Sequence, residues 1–267
     1  MTLTRRLALA MGASLLALAT TAQAQDALRV GAYPANPPWQ NQNEDGTFEG
    51  FEVDIVTEIA SRMGRTVEIQ PYDFRALFVA TASGRADMVI SSLTITDERL
   101  EAQSFTQPYV EGALGIGTRE GAGIDSLDDL NGKVVGAIAT SFGETYLKEH
   151  EADAGYAELR SYDTVANMLT DLQNGRIEAV VNDEVGLRYA FQQMQGLTVG
   201  GAIQTGELFA MMMPKDSPLL EEVNGHISDM KSDGTMARLY ESWLGAAPAE
   251  GSVTVTPMPV PTSASGN

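Results

Sequence analysis

Cysteine is absent from this chain, and histidine occurs only twice, at His150 and His226. The first absence excludes disulfides and thiolate metal sites. It also excludes a lipoprotein anchor, which needs a cysteine at the cleavage point. Basic residues are scarce: 17 Lys and Arg stand against 36 Asp and Glu, a formal charge of −19. Such an acidic surface favours solubility and argues against nucleic acid or anionic lipid as a partner. Apolar runs of any length are confined to the extreme N-terminus, so no later segment reads as a membrane span.

That N-terminus has a clear grammar. A basic start, MTLTRR, precedes the apolar LALAMGASLLALA, and small residues follow at Ala22 and Ala24. The pattern is a secretory signal peptide over residues 1–24, too short to span a bilayer. Its removal takes Arg5 and Arg6 and no acid, which leaves 15 basic against 36 acidic residues, a formal −21. The expected location is the periplasm. The far end, AAPAEGSVTVTPMPVPTSASGN, is rich in Pro, Ser, Thr and Ala, and predicts a disordered tail over 247–267.

Between the two ends, helical and strand patterns alternate, which predicts an α/β protein with mainly parallel strands. Residues 27–31 (ALRVG) begin a strand, and Asp45-Gly46 marks a hairpin turn. Helical spacing of Val56, Ile59, Ala60 and Met63 follows, opened by Glu52 and Asp54. An internal repeat is the most informative feature. YDFRALFVATASGRADMVISS (72–92) and YDTVANMLTDLQNGRIEAVVND (162–183) each carry Tyr-Asp, an amphipathic helix, Gly-Arg and an apolar strand. Two similar αβ lobes follow from it, each with polar groups at a strand's C-terminal end, where open α/β sheets bind ligands.

Those polar groups suit a small zwitterion. SSLTITDER (91–99) supplies Ser91, Ser92 and Thr94 as donors and Arg99 as a planar fork for a carboxylate. Thr96 caps the helix opening at Asp97, which leaves the other hydroxyls unexplained. Asp183 ends the apolar run IEAVVND, where a carboxylate is costly unless paired. It reads alone as a helix cap, and together with Arg99 as the holder of an ammonium. Tyr33, Trp39, Tyr72 and Phe74 lie in or near loops of the first lobe, where aromatic rings flank a ligand's apolar part or pack in the core.

Three other patterns fail. ATSFG (139–143) imitates a nucleophile elbow, but His150 lies on the helix just after Ser141 and cannot serve as its base. NQNEDGTFEGFE (41–52) nearly fits a calcium loop, but lacks the first acid and a preceding helix. GAIATSFG has too few glycines and no following lysine for a phosphate loop.

The chain resembles the periplasmic solute-binding proteins of the amino-acid type, family 3, which serve ABC importers. The resemblance rests on GFEVDIVTEIASRM, SSLTITDER, SLDDLNGKVVG, NGRIEAVVND and SDGTMARLYESWLG, in that order, and covers residues 27–245. It implies a two-lobed type II binding-protein fold: lobe 1 over 26–111 and 207–246, lobe 2 over 112–206, joined by two crossing strands. By resemblance, Arg99 grips an α-carboxylate with Ser92 and Thr94, Ser91 stands nearby, Asp183 takes the α-ammonium and Phe74 is an apolar wall. The family's Gly-Thr-Thr loop here reads Ala139-Thr140-Ser141-Phe142, so Phe142 replaces a hydroxyl and Ser141 stands in for it. Gly31-Ala32-Tyr33 carries no acid where binders of basic amino acids often have one, which points to a neutral ligand. The implied partners are an amino acid and a membrane permease. The expected protein is a monomer without cofactor or enzymatic activity. The resemblance also admits a cyclohexadienyl-type dehydratase, with Glu184 as acid, and a binding protein that docks on a sensor.

Overall fold

The computed structural model describes residues 27–263. The expected signal peptide lies outside them. Among the described residues, no helix is long and apolar enough to cross a membrane.

The first lobe opens with β1 (Leu28–Ala32) and a small antiparallel sheet of β2 (Ala35–Asn36), β3 (Gln40–Gln42) and β4 (Phe48–Glu49). The expected hairpin at Asp45-Gly46 joins β3 to β4, with Asp45 accepting from the Thr47 N–H at 2.9 Å. Then follow α1 (Phe51–Arg62), β5 (Val67–Pro71), α2 (Phe74–Ala82), β6 (Met88–Ile90), α3 (Asp97–Ala102), β7 (Gln103–Phe105) and β8 (Val110–Glu111). The second lobe contains β9 (Leu114–Arg119), β10 (Val134–Ile138), α4 (Phe142–Glu149), α5 (Glu151–Ala154), β11 (Glu158–Tyr162), α6 (Val165–Gln173), β12 (Ala179–Asp183), α7 (Glu184–Phe191) and β13 (Leu197–Ile203). The chain returns through β14 (Leu208–Phe209) and β15 (Met212–Pro214) to α8 (Leu220–Ser232) and α9 (Thr235–Leu244).

Two five-stranded sheets result, ordered β5-β1-β6-β15-β7 and β11-β10-β12-β9-β13. In each, the first three strands are parallel and the fourth runs antiparallel to its neighbours. The two copies of the sequence repeat occupy matching places: α2–β6 and α6–β12 end on the third strand of each sheet. Ser91-Ser92 and Asn182-Asp183 therefore sit at equivalent strand ends. The two crossings pair antiparallel as β8 and β14, Leu208 opposite Glu111 and Phe209 opposite Val110.

Burial follows the periodicity. Ile55, Val56 and Ile59 of α1 have no exposed surface, and they pack with Val30, Met88, Ile90 and Met213 of the first sheet. Trp39, Phe51, Tyr109 and Phe209 form a ring cluster beside the crossings, with Trp39 edge-on to Phe209 at 5.5 Å. Gly50 starts α1 at φ 136°, and a Cβ there would lie 2.3 Å from the Trp39 carbonyl oxygen, so only glycine fits. The second sheet has its own core, in which Ile116, Val135, Ala137, Ala179 and Val181 are buried together.

The predicted disordered tail is corrected over 247–263, where the chain is ordered against lobe 1. Val253 and Thr254 are buried, the Met258 N–H donates to Gln107 Oε1 at 2.9 Å, and Lys231 Nζ donates to the Thr256 and Pro108 carbonyls. The Pro, Ser and Thr composition concealed this because the partners, Gln107 and Lys231, are far away in sequence. Burial pulls the Lys231 ammonium down to about 8. Ending the chain at Gly245 deprives Lys231 of the Thr256 carbonyl and Gln107 of the Met258 N–H, while Lys231 keeps the Pro108 carbonyl. The truncation should lower stability by roughly 1–3 kcal/mol in denaturant titration and leave ligand affinity unchanged.

Candidate functional site

The strand ends of the two sheets face each other across one cleft. Nine of the residues singled out from the sequence line it, Tyr33, Phe74, Ser91, Ser92, Thr94, Arg99, Ser141, Phe142 and Asp183, whereas Trp39 and Tyr72 do not. Counted with its open mouth and the solvent in it, the cleft holds about 530 Å³ of empty space. Away from the crossings, three hydrogen bonds among the described residues span the lobes. Arg99 Nη2 donates to the Thr140 carbonyl at 3.2 Å, Trp39 Nε1 donates to Asp183 Oδ2 at 2.6 Å, and the Val165 N–H donates to Tyr33 Oη at 3.2 Å. The structure is therefore the closed form.

Arg99 is held by the start of α3. Thr96 caps that helix, accepting from the Arg99 N–H at 3.2 Å, so the cap and the anion site coexist. Arg99 Nη1 donates to the Thr94 carbonyl at 2.8 Å, and the guanidinium lies 5.2 Å from the centre of the Phe78 ring. It forms no ion pair among the described residues, and burial lowers it to about 10. An unneutralised guanidinium in a closed cleft suits a carboxylate.

Asp183 likewise serves two roles. Its Oδ2 caps α7 through the Gly186 N–H at 2.7 Å and accepts from Trp39, while its buried Oδ1 has no hydrogen-bond partner. Burial pushes the carboxyl up to about 6, and the Trp39 and Gly186 donors oppose that rise. A free oxygen on a buried carboxylate calls for a donor.

The hydroxyls divide. Ser92 adopts φ 42°, fixed by its N–H donating to both oxygens of Glu52 at 2.9 and 3.1 Å, and Asn36 Nδ2 donates to its Oγ at 3.0 Å. Ser91 Oγ accepts from Gln40 Nε2 at 3.2 Å. Thr94 donates to Glu207 Oε2 at 2.6 Å. Ser141 caps α4 by accepting from the Glu144 N–H at 3.1 Å. Phe74 packs against Phe78 at the wall, with ring centres 5.7 Å apart.

Several residues escaped the sequence reading. Glu52 looked like a helix-opening acid, yet it is fully buried, accepts from Ser92 and the Tyr109 hydroxyl, and rises to about 7 through burial. Trp39 is core, as its alternative reading allowed, but its indole N–H also reaches Asp183. Glu207 lines the cleft and is only 6% exposed. The signal that marked Asp183, an acid at the edge of an apolar run, also marks Glu207 before LFAMMM. Glu184 is ion-paired with Arg188 at 2.7 Å and absent from the cleft lining. No group of acids and histidines among the described residues could hold a metal ion.

Residues 28–246 match the pattern of the bacterial extracellular solute-binding proteins, family 3. The chain belongs to that family. It is 31% identical over 227 residues to the L-cystine-binding protein TcyJ of Escherichia coli (strain K12), covering 82% of this chain and 83% of the relative. Its fold matches an ancestral arginine-binding protein bound to arginine, at a TM-score of 0.78 and 36% identity over 83% of this chain and all of the other. It also matches the substrate-binding protein of an amino acid ABC transporter, at a TM-score of 0.75 and 26% identity over 83% of this chain and all of the other. The expected two-lobed binding-protein fold is thus borne out.

Proposed function

We propose that this protein is the periplasmic substrate-binding component of an ABC importer for a free amino acid or a close derivative. One observation carries the reading. A guanidinium from lobe 1 and a carboxylate with a free oxygen from lobe 2 line one closed cleft. Arg99 takes the α-carboxylate, with Ser92 beside it, and Asp183 takes the α-ammonium. Tyr33, Phe74, Phe142 and Phe209 enclose the side chain. Among the described residues, Arg99 is the one cation of the lining, and those walls are aromatic, which favours a neutral side chain.

Function proceeds by population shift. Ligand contacts both lobes only in the closed form, so it favours closure by the contacts unique to that form, and the closed form docks on the permease. The relatives are binding proteins, and Glu184, the acid the dehydratase alternative calls on, is ion-paired with Arg188 and absent from the cleft lining, which supports binding rather than catalysis. A thermal-shift screen of the twenty amino acids and L-cystine tests the reading. Bound ligand adds RT ln(1 + [L]/Kd) to stability, so a true ligand at 100 Kd contributes about 2.7 kcal/mol and raises the midpoint by several degrees. A flat screen would refute the proposal.

The raised carboxyls set the pH response. Glu52 and Glu207 at about 7 and Asp183 at about 6 keep protons in the folded state that the unfolded chain releases near pH 4. The folded state binds more protons across that interval, so ligand-free stability falls as pH rises from about 4 to about 7 and then levels. Amino-acid affinity moves the other way, since Asp183 must be ionised to hold an ammonium. Melting curves and calorimetric titrations at pH 5, 6 and 7.5 should show both trends.

A further inference from the structure

The return strand lies beside residues 93–95, with the Ile95 N–H donating to the Leu208 carbonyl at 3.0 Å and the Ala210 N–H to the Leu93 carbonyl at 3.1 Å. That pairing swings Glu207 into the cleft next to Thr94. Its Oε2 takes the Thr94 hydroxyl proton, while its Oε1 is buried without a partner. Among the described residues, the only other cleft carboxylate in that condition is Asp183, through Oδ1. The two carboxylates feel each other: the Asp183 charge helps to push Glu207 up to about 7, after burial, and Arg99 opposes the rise. With its proton committed to Glu207, the Thr94 hydroxyl has only lone pairs left to offer the cleft.

Three acceptors from three separate segments thus belong to residues lining one cleft: Asp183 Oδ1, Glu207 Oε1 and Thr94 Oγ1. A primary ammonium has three N–H donors. Resting on the amino-acid reading above, we infer that Glu207 is a second carboxylate for the ligand's amino group, and that it makes the site selective for primary over N-methylated amines. Asp183 approaches this ammonium from lobe 2, and Glu207 with Thr94 from the crossing. Arg99 holds the carboxylate end, so one small head group carries contacts from every side of the closed cleft. Each methyl placed on the nitrogen removes a donor and leaves one of these acceptors unpaired in a dry site.

Glu207→Gln is the informative variant, because its amide oxygen still accepts from Thr94 while the charge is lost. Each of the twenty amino acids and L-cystine is titrated calorimetrically into the unaltered protein. The tightest binder and its N-methyl counterpart are then titrated into both proteins. The expected result is a 10- to 100-fold loss of affinity for the primary amine in Glu207→Gln, roughly the worth of one charge-assisted hydrogen bond. The preference for the primary amine over the N-methyl form, at least tenfold in the unaltered protein, should shrink towards one. Equal affinities in the two proteins overturn the inference and leave the amino-acid reading standing. A loss that is the same for both amines assigns Glu207 a structural role and also overturns it. Failure of every probe to bind the unaltered protein overturns the amino-acid reading, and this inference with it.

Discussion

Arg99→Ala lowers amino-acid affinity by about 100-fold or more. Removing one partner of a buried ion pair costs roughly 3–5 kcal/mol, because the other charge stays desolvated and unpaired, and each 1.4 kcal/mol is a factor of ten. The geometry places Arg99 at the high end of such effects. Among the described residues it is the one cation of the cleft lining, and Thr94 and Thr140 carbonyls orient both of its terminal nitrogens. Substitution also removes a hydrogen bond between the lobes, so the closed form loses a contact with or without ligand. Arg99→Lys keeps the charge and loses the planar fork, so its affinity should fall between the two. Titration calorimetry of the three proteins with the same amino acid measures the series. An alanine variant within threefold of the parent would remove Arg99 from the site.

Glu52→Ala destabilises the protein by about 2–5 kcal/mol and weakens binding as a consequence. The carboxylate is fully buried, and it is the acceptor for two groups: the Ser92 N–H and the Tyr109 hydroxyl. Each donor left unsatisfied in the interior costs roughly 1–3 kcal/mol. For a chain of this size that corresponds to a fall in midpoint of roughly 5–15 °C. Ser92 depends on the same bond to hold its left-handed backbone at φ 42°, which a non-glycine residue does not adopt without support. Releasing it moves the Ser92 hydroxyl out of the cleft. Glu52→Gln retains one acceptor oxygen, and near pH 7, where Glu52 itself titrates, it should lose less than half as much. Denaturant titration of both variants at pH 6.5 gives the comparison. An unchanged midpoint in Glu52→Ala would show that Ser92 and Tyr109 are satisfied by other means.

Local pattern made much of this protein legible. The period of apolar residues placed α1, β6 and β12 to within a residue or two. The repeat of 72–92 and 162–183 forecast two matched sheets, and the rule that ligands sit at strand C-termini led to Ser92 and Asp183. The chemistry of side chains at those ends then picked out Arg99 and Asp183 as opposite poles of one site. All of this depends on neighbours within a few residues, which a sequence displays directly.

Tertiary structure alone decided which groups lose water. Glu52 and Asp54 look alike as acids opening α1, yet only Glu52 is fully buried, because Tyr109 and Ser92, 57 and 40 residues away, close over it. Trp39 joins Asp183 across 144 residues, and Glu207 meets Thr94 across 113. The tail is ordered because Gln107 and Lys231 wait for it on lobe 1. Desolvation depends on what covers a group from every direction, and that cover is assembled from segments whose distance along the chain hides their contact.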